Sequence, residues 1–172
     1  MILADAIKLI NSKKIWRKEA SHWADLGCGT GLFTKALASI LTPGSLITAV
    51  DKNSESLKNL KGIYNAVTVD TQQQDFTAIT LAPLDGILMA NSLHYVADKN
   101  AFIKNLQLNI KKGGSIIIVE YDTDKSNPWV PYPVNYDKLK KLFEENGFTH
   151  VEPIGRQLSI YGAEMYSVLI QN

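Results

Sequence analysis

The segment Asp25-Leu26-Gly27-Cys28-Gly29-Thr30-Gly31 lies between an apolar run, His22–Leu26, and a stretch with helical spacing, Leu32–Leu41. Glycines at a strand-to-helix turn allow positive φ angles and let a ligand lie directly against the backbone. The first turn of the following helix presents unpaired N–H groups and a partial positive charge. The segment therefore predicts a ligand-binding turn, although a glycine-rich turn by itself is also typical of an ordinary tight turn.

An acidic residue follows the next predicted strand, Leu46–Val50. Asp51, with Lys52 beside it, lies twenty residues after Gly31, where a carboxylate can accept hydrogen bonds from both hydroxyls of a ribose. The turn and this carboxylate together predict a nucleoside at the carboxyl edge of a sheet. A dinucleotide fingerprint needs a third glycine where this chain has Leu32, so an aminocarboxypropyl tail, with an acidic neighbour for its ammonium, fits the turn better than a pyrophosphate.

The remaining chain predicts an α/β fold. Short apolar runs alternate with helical patterns between residues 21 and 108, which is typical of a parallel sheet covered by helices on both faces. The proline-rich stretch at 127–134 interrupts this pattern, because its prolines cannot lie in a regular helix or an inner strand. The other predicted elements are strands at Ala66–Val69, Gly86–Ala90 and Ser115–Glu120, helices at Ser54–Leu60, Lys99–Leu108 and Tyr136–Glu145, and a hairpin of Phe148–Glu152 and Glu164–Ile170 around a loop at Pro153–Gly162.

These motifs make the chain similar to the class I S-adenosylmethionine-dependent methyltransferases, from about Ser21 to its C-terminus. The sequence DLGCGTG resembles the first motif of that family, and Asp51 lies where the family has its ribose-binding acidic residue. The resemblance implies a Rossmann-like doubly wound sheet with strand order 3-2-1-4-5-7-6 and an antiparallel last strand. It also implies a single domain over residues 1–172, with an N-terminal helix in 1–20 and a Rossmann-like core in 21–172.

The resemblance further implies S-adenosylmethionine as the cofactor and indicates the residues that bind it. Asp75 and Phe76 lie where the family contacts adenine, and residues 85–91 resemble the fourth motif, so that residues 91–94 would face the sulfonium. The cofactor-binding residues expected on this basis are Asp25, Leu26, Gly27, Cys28, Gly29, Gly31, Asp51, Lys52, Asp75, Phe76, Asn91 and Ser92.

Methyl transfer from a sulfonium is an in-line displacement, so positioning of the reactants and exclusion of water supply most of the acceleration. A base is needed only if the acceptor loses a proton early. His94 is the candidate base, because an unperturbed imidazole titrates near pH ~6.5; a histidine that caps the loop or stacks on the cofactor is the alternative. We expect a small-molecule acceptor between the N-terminal helix, the Asn91–Tyr95 loop and the aromatic Tyr121–Tyr136 segment. The expected pocket residues are His94, Tyr95, Tyr121, Trp129 and Tyr132.

Composition excludes several other functions. The 172 residues carry a net charge of +1, which disfavours nucleic acid as a partner because a polyanion normally needs a basic face. The single cysteine, Cys28, excludes an intrachain disulfide and fits a reducing compartment. The longest apolar runs fall far below the ~20 residues that span a bilayer, so no membrane association is expected and the cytoplasm is the expected location. No metal is expected, since Asp122 and Asp124 fit solvent-exposed loop acids better than ligands.

Further expectations concern the acceptor site, the alternative functions and the first strand. The chain is short for such an enzyme, so the acceptor site is either shallow or completed by another chain, as in a homodimer. A cofactor-binding regulatory or scaffold subunit without activity is the alternative function, and a nicotinamide-dependent dehydrogenase is disfavoured by Leu32. The first strand is less aliphatic than the family usually shows, so we expect His22 or Trp23 to contact the sheet edge or the N-terminal helix.

Overall fold

The computed structural model describes residues 1–159 and 162–171. Within these residues eight strands form one sheet, and five helices and three short 3-10 turns connect them. The strands are β1 (His22–Leu26), β2 (Leu46–Asp51), β3 (Gly62–Tyr64), β4 (Val67–Gln73), β5 (Leu84–Ala90), β6 (Ile110–Tyr121), β7 (His150–Leu158) and β8 (Glu164–Gln171). The helices are α1 (Leu3–Ile10), α2 (Leu32–Ala38), α3 (Ser54–Leu57), α4 (Lys99–Asn109) and α5 (Tyr136–Glu145), and the 3-10 turns are Lys13–Ile15, Phe76–Ala78 and Leu93–Tyr95.

The strand order is β3-β4-β2-β1-β5-β6-β8-β7. Strands β4, β2, β1, β5 and β6 are parallel, and β8 lies antiparallel between β6 and β7. Without β3, this is the predicted order 3-2-1-4-5-7-6 with an antiparallel last strand, and that prediction is confirmed. β3 pairs antiparallel with β4 at the sheet edge, and its three residues are too few to produce a readable alternation of apolar and polar side chains.

Helices cover both faces of the sheet, as predicted. Helices α1, α2 and α3 pack on one face, and α4 and α5 pack on the other. Because successive strand residues point to opposite faces, Ile117 of β6 lies in the first cluster and its neighbours Ile116 and Ile118 lie in the second. Both faces of the central strands are therefore buried, which explains their continuous apolar runs.

Strand β1 has few aliphatic residues, and it fits into the sheet through a close contact between Trp23 and Gly86. Trp23 is fully buried in the apolar cluster that includes α1, and its indole lies where a Cβ on Gly86 of the neighbouring β5 would stand. The adjacent His22 donates its backbone N–H to Asp85 and places Nε2 2.9 Å from the Thr48 hydroxyl of β2. Burial lowers the pKa of His22, against the opposing effect of Asp85. Trp23 thus meets the expectation of a contact on the α1 side.

Some predicted boundaries are wrong. The N-terminal helix is shorter than predicted, since α1 covers Leu3–Ile10 and only a 3-10 turn follows before β1. The predicted loop Pro153–Gly162 is mostly strand, because β7 continues to Leu158. Pro153 is tolerated there because β7 is the edge strand of the sheet and an edge does not need every backbone donor. Residues 160, 161 and 172 of the predicted elements lie outside the described residues.

No helix in the described part of the chain is long and apolar enough to cross a membrane.

Candidate active site

The turn after β1 has the predicted open backbone. Gly27, Gly29 and Gly31 have φ values of +78°, +51° and +84°, a region that side chains with a Cβ rarely adopt. A Cβ on Gly27 would also stand 2.5 Å from the Cβ of Ser92. The turn and the loop after β5 can therefore approach each other only because Gly27 has no side chain.

Asp51 is fixed by two backbone donors at the end of β2. Its Oδ2 accepts a hydrogen bond from the N–H of Gly29 at 2.8 Å, and its Oδ1 accepts one from the N–H of Asn53 at 2.9 Å. Each carboxylate oxygen has two acceptor positions, so both oxygens can still accept a hydrogen bond from a ligand. The arrangement suits the two hydroxyls of a ribose.

A cavity of about 360 Å³ opens beside this carboxylate. Seven of the predicted cofactor residues line it, from the turn, the end of β2, the turn after β4 and the end of β5. Tyr95, predicted for the acceptor pocket, lines it as well. The lining residues are Gly27, Asp51, Lys52, Asp75, Phe76, Thr77, Asn91, Ser92 and Tyr95. Thr77 was missed by the sequence analysis, although it lies two residues after Asp75. This is the position whose backbone N–H donates to the Asp side chain in an Asx turn.

The other predicted cofactor residues, Asp25, Leu26, Cys28, Gly29 and Gly31, are not in the cavity wall. They form the turn and its underside, and Gly29 acts on the cavity through its hydrogen bond to Asp51.

Asp25 is a fully buried carboxylate beneath the turn. Its Oδ2 accepts a hydrogen bond from the Thr34 hydroxyl at 2.6 Å, whereas its Oδ1 has no partner among the described residues. Burial raises the pKa of Asp25 to about 7; the Thr34 hydrogen bond opposes this shift and the charge of Asp51 adds to it. A buried oxygen without a partner is costly, and a cationic donor from a ligand would remove that cost.

Cys28 is buried in the same turn. Burial raises the pKa of its thiol far above the usual range, and the charges of Asp25 and Asp51 raise it further. The thiol therefore stays protonated at neutral pH, and a thiolate nucleophile is not available at this position.

Asp75 and Phe76 form the outer end of the cavity. Asp75 Oδ1 accepts hydrogen bonds from the backbone N–H and the hydroxyl of Thr77, at 2.9 and 2.7 Å. These two bonds, the backbone one first, lower the pKa of Asp75, so the carboxylate is ionised and can accept a hydrogen bond from an amino group. The ring of Phe76 packs edge-on against Phe102, with ring centroids 5.9 Å apart, which fixes an apolar surface beside the carboxylate.

The loop after β5 begins with a second unpartnered acceptor. Asn91 has a φ of +54° and donates its backbone N–H to the carbonyl of Val119 on β6. Its side-chain Oδ1 is buried and has no hydrogen-bond partner within the described ranges. The next residue, Ser92, donates its hydroxyl to the carbonyl of Leu26 at 2.7 Å, which locks this loop onto the end of β1.

His94 is buried beside the cavity rather than in its wall. Its Nδ1 lies 2.7 Å from Oε2 of Glu120, and its backbone N–H donates to Oε1 of the same carboxylate at 3.1 Å. Because a carboxylate can only accept, Nδ1 carries the proton and Nε2 carries the lone pair. Nε2 has no hydrogen-bond partner among the described residues, and the side chain as a whole is 3% exposed. The ring of His94 is therefore held by Glu120 of β6, and both the catalytic and the structural interpretation of His94 stay predictions.

Glu120 was missed by the sequence analysis. It is 1% exposed at the end of the β-branched strand β6, and a buried carboxylate there signals a partner. The sequence offers that signal, since an acidic residue ends an otherwise apolar run, but it does not identify His94 as the partner.

The aromatic residues predicted for the acceptor pocket are only partly gathered around His94. The ring centroids of Tyr95 and Tyr121 lie 4.4 and 6.4 Å from that of His94, and the backbone N–H of Tyr132 donates to the His94 carbonyl. Trp129 is 79% exposed and lines neither the first cavity nor a second one of about 460 Å³ beside it. The second cavity is lined by Thr77, Tyr95, Val96, Ala97, Asp98, Ala101, Phe102 and Asn105.

The expectation that the N-terminal helix forms a pocket wall is wrong. No residue of α1 lines either cavity, because the helix packs against α2, β7 and β8 on one face of the sheet. Its Leu9 and Ile10 are fully buried there, and Leu9 accepts a hydrogen bond from the Ser167 hydroxyl through its carbonyl.

Asp122 and Asp124 each have a cationic partner of their own. Asp122 pairs with Arg156 at 2.8 Å, and Asp124 pairs with Lys138 at 2.8 Å. Over residues 1–159 and 162–171, no group of three potential metal ligands comes together.

Comparisons with known proteins show which chains this sequence is similar to. A family model described as a methyltransferase domain matches residues 17–169. An O-methyltransferase of Pyrenophora dematioidea is 28% identical over 150 residues, which are 76% of this chain and 55% of that protein. A ubiquinone biosynthesis O-methyltransferase of Xylella fastidiosa is 33% identical over 99 residues, 55% of this chain and 39% of that protein. The chain thus spans about half the length, or less, of these curated relatives.

Solved structures share the fold. The complex of DhpI with SAH superimposes with a TM-score of 0.72 at 18% identity, covering 96% of this chain and 83% of that one. Human N-acetylserotonin methyltransferase in complex with SAM gives a TM-score of 0.70 at 19% identity, covering 98% of this chain and 51% of that one.

Proposed function

Because the chain belongs to the methyltransferase domain family, we propose that it binds S-adenosylmethionine in the cavity beside Asp51 and transfers the methyl group to a hydroxyl of a small-molecule acceptor. The observation that carries this proposal is the juxtaposition of a nucleoside-sized cavity with the buried His94–Glu120 pair. The names of the curated relatives, which describe O-methyltransferases, support the choice of an oxygen acceptor.

The chemistry of the residues present fits the cofactor. Asp51 offers both oxygens to the ribose hydroxyls, and ionised Asp75 offers an acceptor to the adenine amino group. The buried, unpartnered oxygens of Asp25 and Asn91 are acceptors that suit the ammonium of the aminocarboxypropyl tail. When bound, the cofactor supplies a methyl group that is already activated on a sulfonium.

The protein's part in the reaction is then to position the acceptor and to remove its proton. Glu120 holds the Nδ1–H of His94 at 2.7 Å, which fixes the tautomer and leaves the Nε2 lone pair free to take the proton of an acceptor hydroxyl. The resulting imidazolium is stabilised by the buried carboxylate beside it. Burial of both side chains also excludes water, which strengthens this electrostatic interaction.

The aromatic rings of Tyr95 and Tyr121 near His94 favour a flat acceptor, for which stacking surfaces are suited. We further propose a cytoplasmic location, on the basis of the single free cysteine. We also propose a homodimer in which the second copy completes the acceptor site. Sedimentation velocity tests the dimer, and a monomer at all concentrations would contradict it.

The function is tested by separating cofactor binding from turnover. Isothermal titration should show that S-adenosylhomocysteine binds and NAD does not. Methyl transfer from labelled donor to a panel of phenols, amines and carboxylates should then be detected with a phenol. His94→Gln should lower turnover by roughly 10²-fold or more and leave the dissociation constant for S-adenosylhomocysteine nearly unchanged.

His150→Gln is the matched control, because His150 is an exposed histidine on β7. Binding without transfer to any acceptor would favour the regulatory or scaffold subunit. Equal loss of binding and turnover in His94→Gln would place His94 at the cofactor instead of the acceptor.

A further inference from the structure

The ammonium of Lys99 joins two segments that are far apart in the sequence. Lys99 is the first residue of α4, and its Nζ donates hydrogen bonds to the carbonyls of Val96 and Tyr132 at 2.8 and 2.7 Å. The same ammonium lies 5.8 Å from the centroid of the Tyr132 ring, within the range of a cation–π contact. Val96 directly follows the turn that carries His94.

The second segment is the proline-rich stretch at residues 127–134, which we call the aromatic strap. A short bridge between Asn127 and Val130 closes its outer end. Its inner end is fixed by the hydroxyl of Tyr166, which donates to the Val134 carbonyl at 2.8 Å. Between these points the strap contacts the turn that carries His94. The contact is made by Tyr132, whose N–H donates to the His94 carbonyl at 3.0 Å. Lys99 binds the carbonyl of the same residue.

Lys99 is also electrostatically linked to the His94–Glu120 pair. Its side chain is half-buried, and burial lowers its pKa while the negative charge of Glu120 raises it. The charge of Lys99 therefore acts on Glu120 in return, since the interaction between two charges is mutual. The strap and the turn leave His94 only 2% exposed, so this charge acts across a poorly solvated region.

We propose that Lys99 is a positioning residue for methyl transfer: its ammonium fastens the aromatic strap to the turn that carries His94 and so keeps the buried His94–Glu120 pair covered. The inference rests on the proposed function, in which His94 takes the proton of the acceptor. Two hydrogen bonds from a charged donor are each stronger than neutral ones, so the strap should open locally when the ammonium is removed. Opening of the strap should also uncover the His94 ring, which is only 2% exposed in the folded arrangement.

The variants are Lys99→Met, which keeps most of the apolar stem, and Lys99→Arg, which keeps the charge and can reach both carbonyls. Lys104→Met is the matched control, because Lys104 is an exposed lysine on the same helix. Thermal melting establishes that each variant folds, and Lys99→Gln replaces Lys99→Met if the latter does not fold.

The first measurement is amide hydrogen exchange of the whole chain. Lys99→Met should exchange the Tyr132 amide roughly tenfold faster, and Lys99→Arg and Lys104→Met should match the unsubstituted protein. The second measurement is the rate at which diethyl pyrocarbonate modifies His94, with the exposed His150 as the internal reference. In Lys99→Met this rate should increase roughly tenfold, in step with the exchange of Tyr132, and Lys99→Arg should restore it.

Unchanged exchange at Tyr132, or an unchanged rate of modification at His94, in folded Lys99→Met would overturn the proposal. A weaker affinity of that variant for S-adenosylhomocysteine would also overturn it, because Lys99 would then act on the cofactor side. Neither measurement needs an acceptor. If the unsubstituted protein fails to bind S-adenosylhomocysteine, the proposed function fails while the exchange test still decides the role of Lys99 in the strap.

Discussion

Two buried oxygens without a protein partner define the chemistry of the site at the scale of single residues. Oδ1 of Asp25 and Oδ1 of Asn91 have no hydrogen-bond donor in the described structure. Leaving such atoms unsatisfied costs free energy. Asn91 lines the cavity and Asp25 lies beneath the turn next to it, so a ligand that donates hydrogen bonds there would remove this cost. Asp51 differs, since both of its oxygens are already oriented by backbone N–H groups.

Asp51→Ala should weaken binding of S-adenosylhomocysteine by ~1–3 kcal/mol, which is about 5- to 150-fold in the dissociation constant. The ribose hydroxyls lose a charged acceptor, and Gly29 and Asn53 lose the group that orders their backbone. Isothermal titration measures the effect. Asp70→Ala is the control, since Asp70 is a half-exposed carboxylate on β4 that pairs with Lys61. Equal affinities of the Asp51 variant and the unsubstituted protein would show that the ribose lies elsewhere.

Binding of S-adenosylhomocysteine should depend on pH through Asp25. Burial raises the pKa of Asp25 to about 7, so the free protein is mostly protonated at this residue below that pH and mostly ionised above it. The ligand's ammonium favours the carboxylate, so binding should release protons, and affinity should fall as the pH decreases from about 8 to about 6.

The proton release is measured by titration calorimetry in buffers of different ionisation enthalpy. Asp25→Asn should bind with a flatter pH dependence. Identical heats in all buffers, together with an affinity that does not change between those pH values, would contradict the coupling.

At the scale of secondary-structure elements, the site depends on how closely neighbouring strands and loops approach. The contact of Gly27 with Ser92 joins the end of β1 to the end of β5. The contact of Trp23 with Gly86 lies further back between the same two strands, which are paired in register at these two residues. Helix α1 contributes to the core instead of the site, because its buried residues pack against α2, β7 and β8.

Gly86→Ala should destabilise the fold by ~1–3 kcal/mol, because the added methyl group would overlap the Trp23 ring in a filled core. Chemical denaturation measures the change in the free energy of unfolding. Gly62→Ala is the matched control: this glycine also lies in a strand with ordinary φ, and the nearest atom to its added Cβ is 3.8 Å away. In combination with Trp23→Leu, the cost of Gly86→Ala should shrink, and full additivity of the two changes would show that the ring is not the obstacle.

At the scale of the whole molecule, the cofactor should stabilise the entire fold, because its proposed contacts come from β1, β2, β4 and β5 ends that together form the centre of the sheet. At a concentration of 100 times the dissociation constant, a ligand adds about 2.7 kcal/mol. For a chain of 172 residues this corresponds to an increase of roughly 5–10 °C in the midpoint of thermal unfolding.

Differential scanning fluorimetry should show this increase with S-adenosylhomocysteine and none with NAD at the same concentration. An increase in the unfolding midpoint with NAD alone would contradict the proposal that the turn binds S-adenosylmethionine. A nicotinamide-dependent dehydrogenase would then be the better interpretation.

The family resemblance of the sequence implied the order of the strands and the positions of Asp75 and Asn91, whereas the sequence by itself determined the glycine turn and the placement of Asp51 at the edge of the sheet. These features are local: a strand followed by a glycine-rich turn and a helix can be read from neighbouring residues, and parallel strands bring their carboxyl ends to the same edge. Seven of the predicted cofactor residues line the cavity for this reason.

Only the tertiary structure decided that His94 pairs with Glu120, 26 residues away, and that Lys99 meets Tyr132, 33 residues away. It also decided that α1 covers the sheet face instead of the pocket, and that Trp129 lies outside both cavities. Such contacts depend on the register between β5 and β6 and on the path of the strap that follows β6. No local sequence pattern specifies either of them. The partner of a buried charge is therefore fixed by three-dimensional packing, whereas the type of each residue is already present in the sequence.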